Sequence, residues 1–423
     1  MRYQRPKGTN DILPEEAPRW RFVERTFRDI CRRYDYAEIR TPTFEETELF
    51  VRSVGEDTDI VSKEMYTFED KGGRSLTLRA EGTAPTVRAF LEEHIQGQDR
   101  ERLVKLYYIT SIFRQDRPQA GRYRQHHQAG VEALGSPEPG VDAEVIDLAM
   151  TFFREVGIEG TRLLINSVGC PRCAPGYVEA LKASVADSVQ EMCEDCQRRY
   201  ETNPLRLLDC KNEACRRITE GAPKMLDELC GECEEHFSGL REHLDALGIA
   251  YEIDPRIVRG LDYYTKTAFE FRHDALGAQD SVGGGGRYDE LVAQCGGPPT
   301  PGVGLGIGLE RVLLVRRELG LRDEEQPREG SFIVTIGEEA WMPGYELLHD
   351  LRQDGVKAEI DYRRRSIRAQ MRYADSQGYL NAVILGPDEL QKGVATVRDM
   401  VSGDQQEVPV KELAEYLKAT RAG

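Results

Sequence analysis

The chain has 423 residues, 39% of them hydrophobic and 31% charged, and a formal net charge of −17. That length suits two or three domains with buried cores, and no 18-residue apolar run offers a helical membrane span. The first residues, MRYQRPKGTNDILPEE, lack the apolar segment of a signal peptide, so a cytoplasmic protein is expected. The acidic total argues against a broadly basic nucleic-acid binder. Screening confines surface fields to about 10 Å, however, so an RNA contact would use local islands of Arg and Lys.

Asp11-Ile12-Leu13-Pro14 leads into a helix expected over 15–34, where Trp20, Val23, Phe27 and Ile30 recur at three- and four-residue steps. A short strand at 36–40 ends at Thr41-Pro42; a proline cannot donate to a ladder and belongs at a strand end. Residues 64–68 and 75–80 alternate across Asp70-Lys71-Gly72-Gly73 and read as a hairpin. The second arm runs into Arg79-Ala80-Glu81-Gly82-Thr83-Ala84-Pro85, with Thr83 the expected helix N-cap and Pro85 in the first turn. Glu81 then stands between strand end and helix start, either as a capping carboxylate or as a fixed anion for a ligand.

The apolar run 103–113 (LVKLYYITSIF) and the alternating 128–134 read as two strands. Between them, 115–125 is a long polar loop carrying Arg117, Arg122 and Arg124 against one acid, Asp116, while Arg114 sits where the first strand leaves the sheet. Gln128 and Glu132 share a face because strand side chains alternate with period two. An arginine, an amide and a carboxylate on one sheet face suit the floor of a site for a small charged ligand better than a core.

A helix is expected over 141–156 and a strand over 163–167. Cys170-x-x-Cys173, Cys193-x-x-Cys196, Cys210-x-x-x-x-Cys215 and Cys230-x-x-Cys233 follow, in a polar, mostly helical segment. Core-like patterning resumes at Ile249, so 170–240 is taken as an insertion within a core spanning 1–325. Arg259-Gly260-Leu261-Asp262-Tyr263-Tyr264 then opens a strand. Buried tyrosines need hydroxyl partners and arginine keeps its charge, so this is a polar ligand wall unless it is an exposed loop. In Gly302–Gly308 glycines fall at every second residue, leaving one strand face bare for a flat ring. Neither this run nor Gly283–Gly286 matches a dinucleotide fingerprint, and no phosphate-binding P-loop occurs. Arg311 falls in the first turn of the helix after Gly308, where the helix N-terminus also favours phosphate. Residues 322–330 form a charged linker. Beyond it, strands near 332–336, 358–362, 381–385 and 394–397 alternate with helices near 345–353 and 366–376, giving an α/β domain over 331–423 with a mostly parallel sheet. Its basic island is Arg363, Arg364, Arg365, Arg368 and Arg372.

Phe113-Arg114 with Arg122-Tyr123-Arg124-Gln125 resembles motif 2 of the class II aminoacyl-tRNA synthetases, in the form seen in histidyl-tRNA synthetases. The first helix, strand and Pro42 correspond to motif 1, and Gly-Leu-Glu-Arg at 308–311 to motif 3. The RGLDYY segment, specific to the histidyl members, is present, and 331–423 resembles their anticodon-binding domain. The resemblance spans the chain. It implies an α+β catalytic core built on an antiparallel sheet, a mostly helical insertion, a C-terminal α/β anticodon-binding domain, and a homodimer. The implied reactions are activation of L-histidine by ATP with Mg²⁺ to histidyl-adenylate, then transfer to the 3′ end of tRNA(His). By the same resemblance Arg114, Arg259 and Arg311 are the catalytic, ATP-binding arginines, with Asp116, where the family usually has Glu, facing the adenine. Glu81, Thr83, Gln128, Glu132, Tyr263 and Tyr264 are the histidine-binding set, Glu132 and Tyr264 matching the two ring nitrogens. Arg122 and Arg124 with Arg363, Arg364, Arg365 and Arg368 are the tRNA-contacting set. The alternative is a non-catalytic, synthetase-like regulatory subunit of ATP phosphoribosyltransferase; such subunits lack the terminal domain and lose motif residues.

The spacing of the eight insertion cysteines suggests zinc before disulfides, one or two ions each held by four thiolates. Related insertions do without cysteines altogether, so the fold does not need metal, and reduced structural thiols are the favoured reading.

Overall fold

The computed structural model describes residues 3–55, 58–97, 102–116, 121–321 and 328–420. Arg117 of the loop therefore lies outside the described residues. The chain divides into two compact units, one ending at Leu321 and one beginning at Arg322.

The first unit is built on an eight-stranded sheet. Its order is Ala37–Glu38, Val104–Phe113, Gln125–Leu134, Gly302–Gly308, Ser281–Arg287, Thr265–Arg272, Arg162–Ser167, Glu252–Ile253. The inner pairings are antiparallel and the two short outermost strands pair parallel, so the sheet is mixed only at its edges. Period-two alternation gives its two faces opposite characters. Ala129, Val131, Ala133, Val303, Leu305, Ile307, Phe269 and Phe271 point into the main core. Helices Ala17–Arg33, Pro139–Glu155 and Leu309–Glu318 supply the other side of it, with Phe152 edge-on to Phe27 at 5.3 Å and Phe153 to Phe271 at 5.1 Å. Each such ring taken from water contributes about 1.5–3 kcal/mol. The opposite face holds Gln128, Glu132 and Tyr108 beside glycines, and is the floor of the site.

A separate three-stranded sheet, Phe44–Glu46, Ser75–Leu78 and Thr67–Glu69, contains the expected hairpin plus a strand the alternation did not reveal. The cysteine segment is helical, as Ala174–Val185, Glu194–Thr202, Glu213–Ile218 and the start of Gly231–Ala246. Residue 240 falls inside that last helix, however. Its Phe237, Leu240 and Leu244 pack into the main core, so the helix belongs to both regions.

The second unit carries strands in the order Ala358–Ile360, Ser331–Thr335, Asn381–Leu385, Val394–Asp399, Gln405–Pro409. Two pairings are parallel and two antiparallel, so the expected mostly parallel sheet is half so. The last strand, largely exposed and polar, lacks the apolar alternation that would have announced it. Ser331–Thr335 is buried throughout, Ile333 facing one core cluster and Phe332 with Val334 the other, as befits a strand covered on both faces.

Candidate active site

Four arginines from three separated stretches converge on one cleft of about 320 Å³. Arg114 leaves the sheet at the end of Val104–Phe113 and is steadied by donating Nε to the Ala80 carbonyl at 2.8 Å. Arg122 comes from the return of the hairpin and pairs with Asp116. Arg259 lies across the bare backbone of Gly284, where a Cβ would come within 2.7 Å of its Nη1. Arg311, in the first turn of Leu309–Glu318, donates Nε to the Gly121 carbonyl at 3.0 Å. Gly283, Gly284, Gly306 and Gly308 form the floor. Burial and the neighbouring Arg122 hold the Arg311 guanidinium below the usual arginine range, the signature of cations crowded together. Burial of the Nε of Arg259 leaves it with no hydrogen-bond partner among the described residues. A buried, unpaired charged donor is costly unless something binds it.

His126 lines the same cleft, and burial, with Arg114 beside it, pushes its imidazole down to about 3, so it is neutral. The Glu310 carboxylate accepts from the His127 backbone N–H and approaches its Nδ1, each at 2.9 Å. This ties the helix that carries Arg311 to the strand that carries Gln128.

Beside the cleft lies a cluster of polar side chains bonded to one another. The Glu132 carboxylate, 0% exposed, accepts from Thr83 Oγ1 at 2.8 Å and Tyr108 Oη at 3.1 Å on one oxygen, and from Tyr288 Oη at 2.5 Å on the other. Burial pushes its carboxyl up to about 8. Gln128 donates to Tyr108 Oη at 3.2 Å. Tyr263 and Tyr264 close the cluster, their ring centroids 4.7 Å apart, and Arg259 sits 5.8 Å from the Tyr264 centroid. Room for these groups comes from the alternate glycines: a Cβ on Gly304 would meet Glu132 Oε2 at 1.9 Å, and one on Gly306 would meet Gln128 Nε2 at 2.4 Å. The bare strand face is thus partly filled by the chain's own polar groups, and only its Gly306–Gly308 end opens to the cleft.

One expectation needs correction here. Thr83 is not the N-cap: Thr83–Glu92 begins after Gly82, and the Glu81 carboxylate accepts from the Thr83 and Ala84 backbone N–H groups at 2.7 and 2.6 Å. Glu81 thereby satisfies the helix's orphan donors, which frees the Thr83 hydroxyl for Glu132. Asp116, which the resemblance sets facing the adenine, pairs with Arg122.

Comparison with known proteins identifies the family. A family model described as histidyl-tRNA synthetase matches residues 8–312, and one described as an anticodon binding domain matches 331–420. The chain belongs to the histidyl-tRNA synthetase family. Histidine--tRNA ligase of Desulforamulus reducens is 52% identical over 98% of this chain and 99% of its own length, and that of Moorella thermoacetica 51% over 99% and 98%. The crystal structure of apo histidyl-tRNA synthetase from S. aureus superposes with a TM-score of 0.83 at 39% identity, covering 98% of this chain and 100% of that one. The core is the class II synthetase fold.

Tyr108, Tyr288 and His126 were not anticipated. For Tyr108 the signal was present: Gly130 stands between Gln128 and Glu132, pairs with Tyr108, and leaves room for its ring. Tyr288 follows a glycine run that drew attention to backbone rather than to its neighbour. In the anticodon-binding unit the arginine island divides. Arg365 is bound to Asp361 and lies 4.8 Å from the Tyr373 ring centroid, while Arg364 lies 4.6 Å from that of Trp341. Arg363 and Arg368 are exposed, near the exposed Tyr362.

Proposed function

We propose that this chain is a histidine--tRNA ligase: it activates L-histidine with ATP as histidyl-adenylate, releasing pyrophosphate, and passes the histidyl group to the 3′ end of tRNA(His). The observation that carries this reading is the convergence of Arg114, Arg122, Arg259 and Arg311 over glycine backbone beside a cluster of buried polar side chains.

The nucleophile of the first step is the substrate's own carboxylate, ionised at neutral pH, so no side chain need be activated. Its oxygen attacks the α-phosphorus while the bond to pyrophosphate breaks. Catalysis is then alignment plus neutralisation of charge on that phosphorus. Arg114 and Arg259 serve the α-phosphate, and Arg311 with its helix N-terminus takes the distal phosphates. Charge-assisted hydrogen bonds contribute about 1.5–3 kcal/mol each, so three arginines can lower the barrier by several powers of ten. The family uses ATP with a divalent metal. Mg²⁺ carried in by the ATP would supply further positive charge at the phosphates, while the cleft carboxylates Asp116 and Glu310 are already engaged by Arg122 and by His127.

Ionised, Glu132 has about four acceptor positions, of which three are taken, leaving one for an imidazole N–H; protonated, as burial favours at neutral pH, its O–H can serve the bare ring nitrogen instead. Tyr264 meets the other ring nitrogen, with Tyr263 packed against it. Glu81, Thr83 and Gln128 serve the amino and carboxylate groups. In the anticodon-binding unit, exposed Arg363, Arg364 and Arg368 beside Tyr362 combine charge with a stacking surface for single-stranded RNA; Arg365 holds their turn through Asp361. Arg122 and Arg124, at the hairpin, meet the tRNA acceptor end. The protein acts as a homodimer in the cytoplasm, and the exposed Phe44–Phe68 pair is apolar surface for the second copy. The regulatory-subunit alternative is disfavoured by residues 331–420 and by a full set of cleft arginines.

ATP–pyrophosphate exchange with each of the twenty amino acids tests the reading. Histidine alone should support exchange, because buried polar partners reject side chains that leave them unpaired, typically by about 10⁴–10⁵. Exchange with another amino acid, or with none, would remove it.

A further inference from the structure

The eight insertion cysteines fall into two nested groups of four. Cys170, Cys173, Cys230 and Cys233 form one; Cys193, Cys196, Cys210 and Cys215 form the other. Within each group the four sulfurs lie within 4.8 Å of one another. Resolved separations are 3.8 Å for Cys170–Cys173, 3.7 Å for Cys170–Cys230, 3.8 Å for Cys173–Cys233 and 3.8 Å for Cys193–Cys210. Disulfide sulfurs are about 2.05 Å apart, so these are not bridges. A tetrahedron of thiolates around one ion, with metal–sulfur bonds of about 2.3 Å, has edges of about 3.8 Å. The four separations quoted match that edge, and every other pair within a group stays inside 4.8 Å. An iron–sulfur cluster of several irons would hold its cysteines further apart.

Reduced thiols packed as small hydrophobes would be scattered among Leu and Val partners. Here four sulfurs face one another twice, and the backbone is arranged for negative charge. Cys173, Cys193 and Cys230 are the N-cap residues of Ala174–Val185, Glu194–Thr202 and Gly231–Ala246, where helix dipoles favour thiolate. Backbone N–H groups point at sulfur as well: Cys170 at Cys173 Sγ, 3.3 Å, and Cys193 at Cys215 Sγ, 3.2 Å. The sequence favoured bare thiols because related insertions lack cysteines, but that shows only that such insertions can fold without metal.

We propose that this insertion holds two structural zinc ions, each by four thiolates: one on Cys170, Cys173, Cys230 and Cys233, the other on Cys193, Cys196, Cys210 and Cys215. Soft sulfur donors in tetrahedral array select zinc, and four protein ligands leave no open position, so neither ion takes part in chemistry. The first site clasps the insertion's entry to its exit. Next to it Glu232 pairs with Lys266 at 2.8 Å, two residues beyond Tyr264. The second site binds the distal turns, and from that lobe Arg199 reaches Asp59 at 2.9 Å and Asn203 reaches Asp262 at 2.5 Å. The two ions thus brace the wall that carries Arg259, Tyr263 and Tyr264.

The test is metal analysis of the full-length protein, purified without chelators from zinc-supplied cells. It should carry about two zinc ions per chain, with zinc-edge X-ray absorption reporting four sulfurs at about 2.3 Å. The double variants Cys173→Ser/Cys233→Ser and Cys196→Ser/Cys215→Ser should each retain about one. Substoichiometric zinc with eight promptly reactive thiols, an intact mass showing disulfides, or iron in place of zinc would each overturn the proposal. These readouts do not depend on aminoacylation, and the wild-type measurement decides even where a variant fails to fold.

Discussion

Two arginines of the catalytic unit, Arg259 in the segment leading into Thr265–Arg272 and Arg287 at the end of Ser281–Arg287, show how a structural charge differs from one kept for a ligand. Arg287, 0% exposed, meets Asp142 through Nε and Nη2, the Ser136 carbonyl at 2.8 Å and Asp289 at 3.1 Å through Nη1, and the Glu138 carbonyl at 3.2 Å through Nη2. Its charge is fully answered within the protein. Arg259 is answered only in part: Tyr264 and the Glu270 carboxylate favour its charge, but bare glycine backbone lies beneath it and its buried Nε has no partner among the described residues. Folding is served fully by the first arrangement and less fully by the second, which leaves a buried donor unpaired. Burial of an arginine therefore says little about its role; its unmet donors say more.

Breaking the first arrangement should have the larger effect on the fold. Arg287→Met leaves Asp142 buried without its counter-charge, and losing one partner of a buried pair costs about 3–5 kcal/mol. Denaturant unfolding should show that loss; a change below about 1 kcal/mol would mean Asp142 finds relief elsewhere, His236 at 3.4 Å being the nearest alternative. Glu132 is an intermediate case, hydrogen-bonded by three hydroxyls but given no cation. Its carboxyl, raised by burial from 4.5 to about 8, binds a proton more tightly folded than unfolded. Its contribution is therefore fully present below about pH 4.5 and is lost as pH rises towards 8, a slope of about 1.36 kcal/mol per unit at most. Glu132→Gln should remove that slope, so its stability relative to wild type should improve between pH 5 and 8. Parallel stability curves for the two proteins would show that Glu132 is ionised throughout.

The contrast also marks what the sequence could convey. Alternating glycines, the arginine of each motif and the period-two face of 128–134 were legible because each is a local pattern. The capping geometry of Glu81, the hydroxyls of Tyr108 and Tyr288 around Glu132, and the Arg287–Asp142 pair were not, since each joins residues that meet only after the strands pair. Asp142 and Arg287 are 145 positions apart, and nothing near either indicates the other. The half-parallel sheet of the second unit escaped for a different reason. Its last strand is polar and exposed, so the burial signal that identifies strands was missing. The cysteine groups combine both conditions: the Cys-x-x-Cys spacing was visible, but the nesting of first with last and middle with middle was not.

Arg259→Ala should have the smallest effect on the fold and a decisive one on activity. Removing the guanidinium takes one favourable cation from Glu270, but that carboxylate keeps Arg272 at 3.4 Å and is not left stranded. Denaturant unfolding should thus show a loss well short of the roughly 3–5 kcal/mol of a broken buried pair. Exchange, by contrast, should fall by roughly 10²–10³, the cost of deleting one donor aimed at charge that develops in the transition state. The two readouts separate the possibilities. If stability falls as it does for Arg287→Met, Arg259 is a structural cation whose partners the unpaired Nε disguises. If both stability and exchange are unchanged, the α-phosphate is served by Arg114 without it. Only stable protein with lost exchange fits an arginine held open for a phosphate.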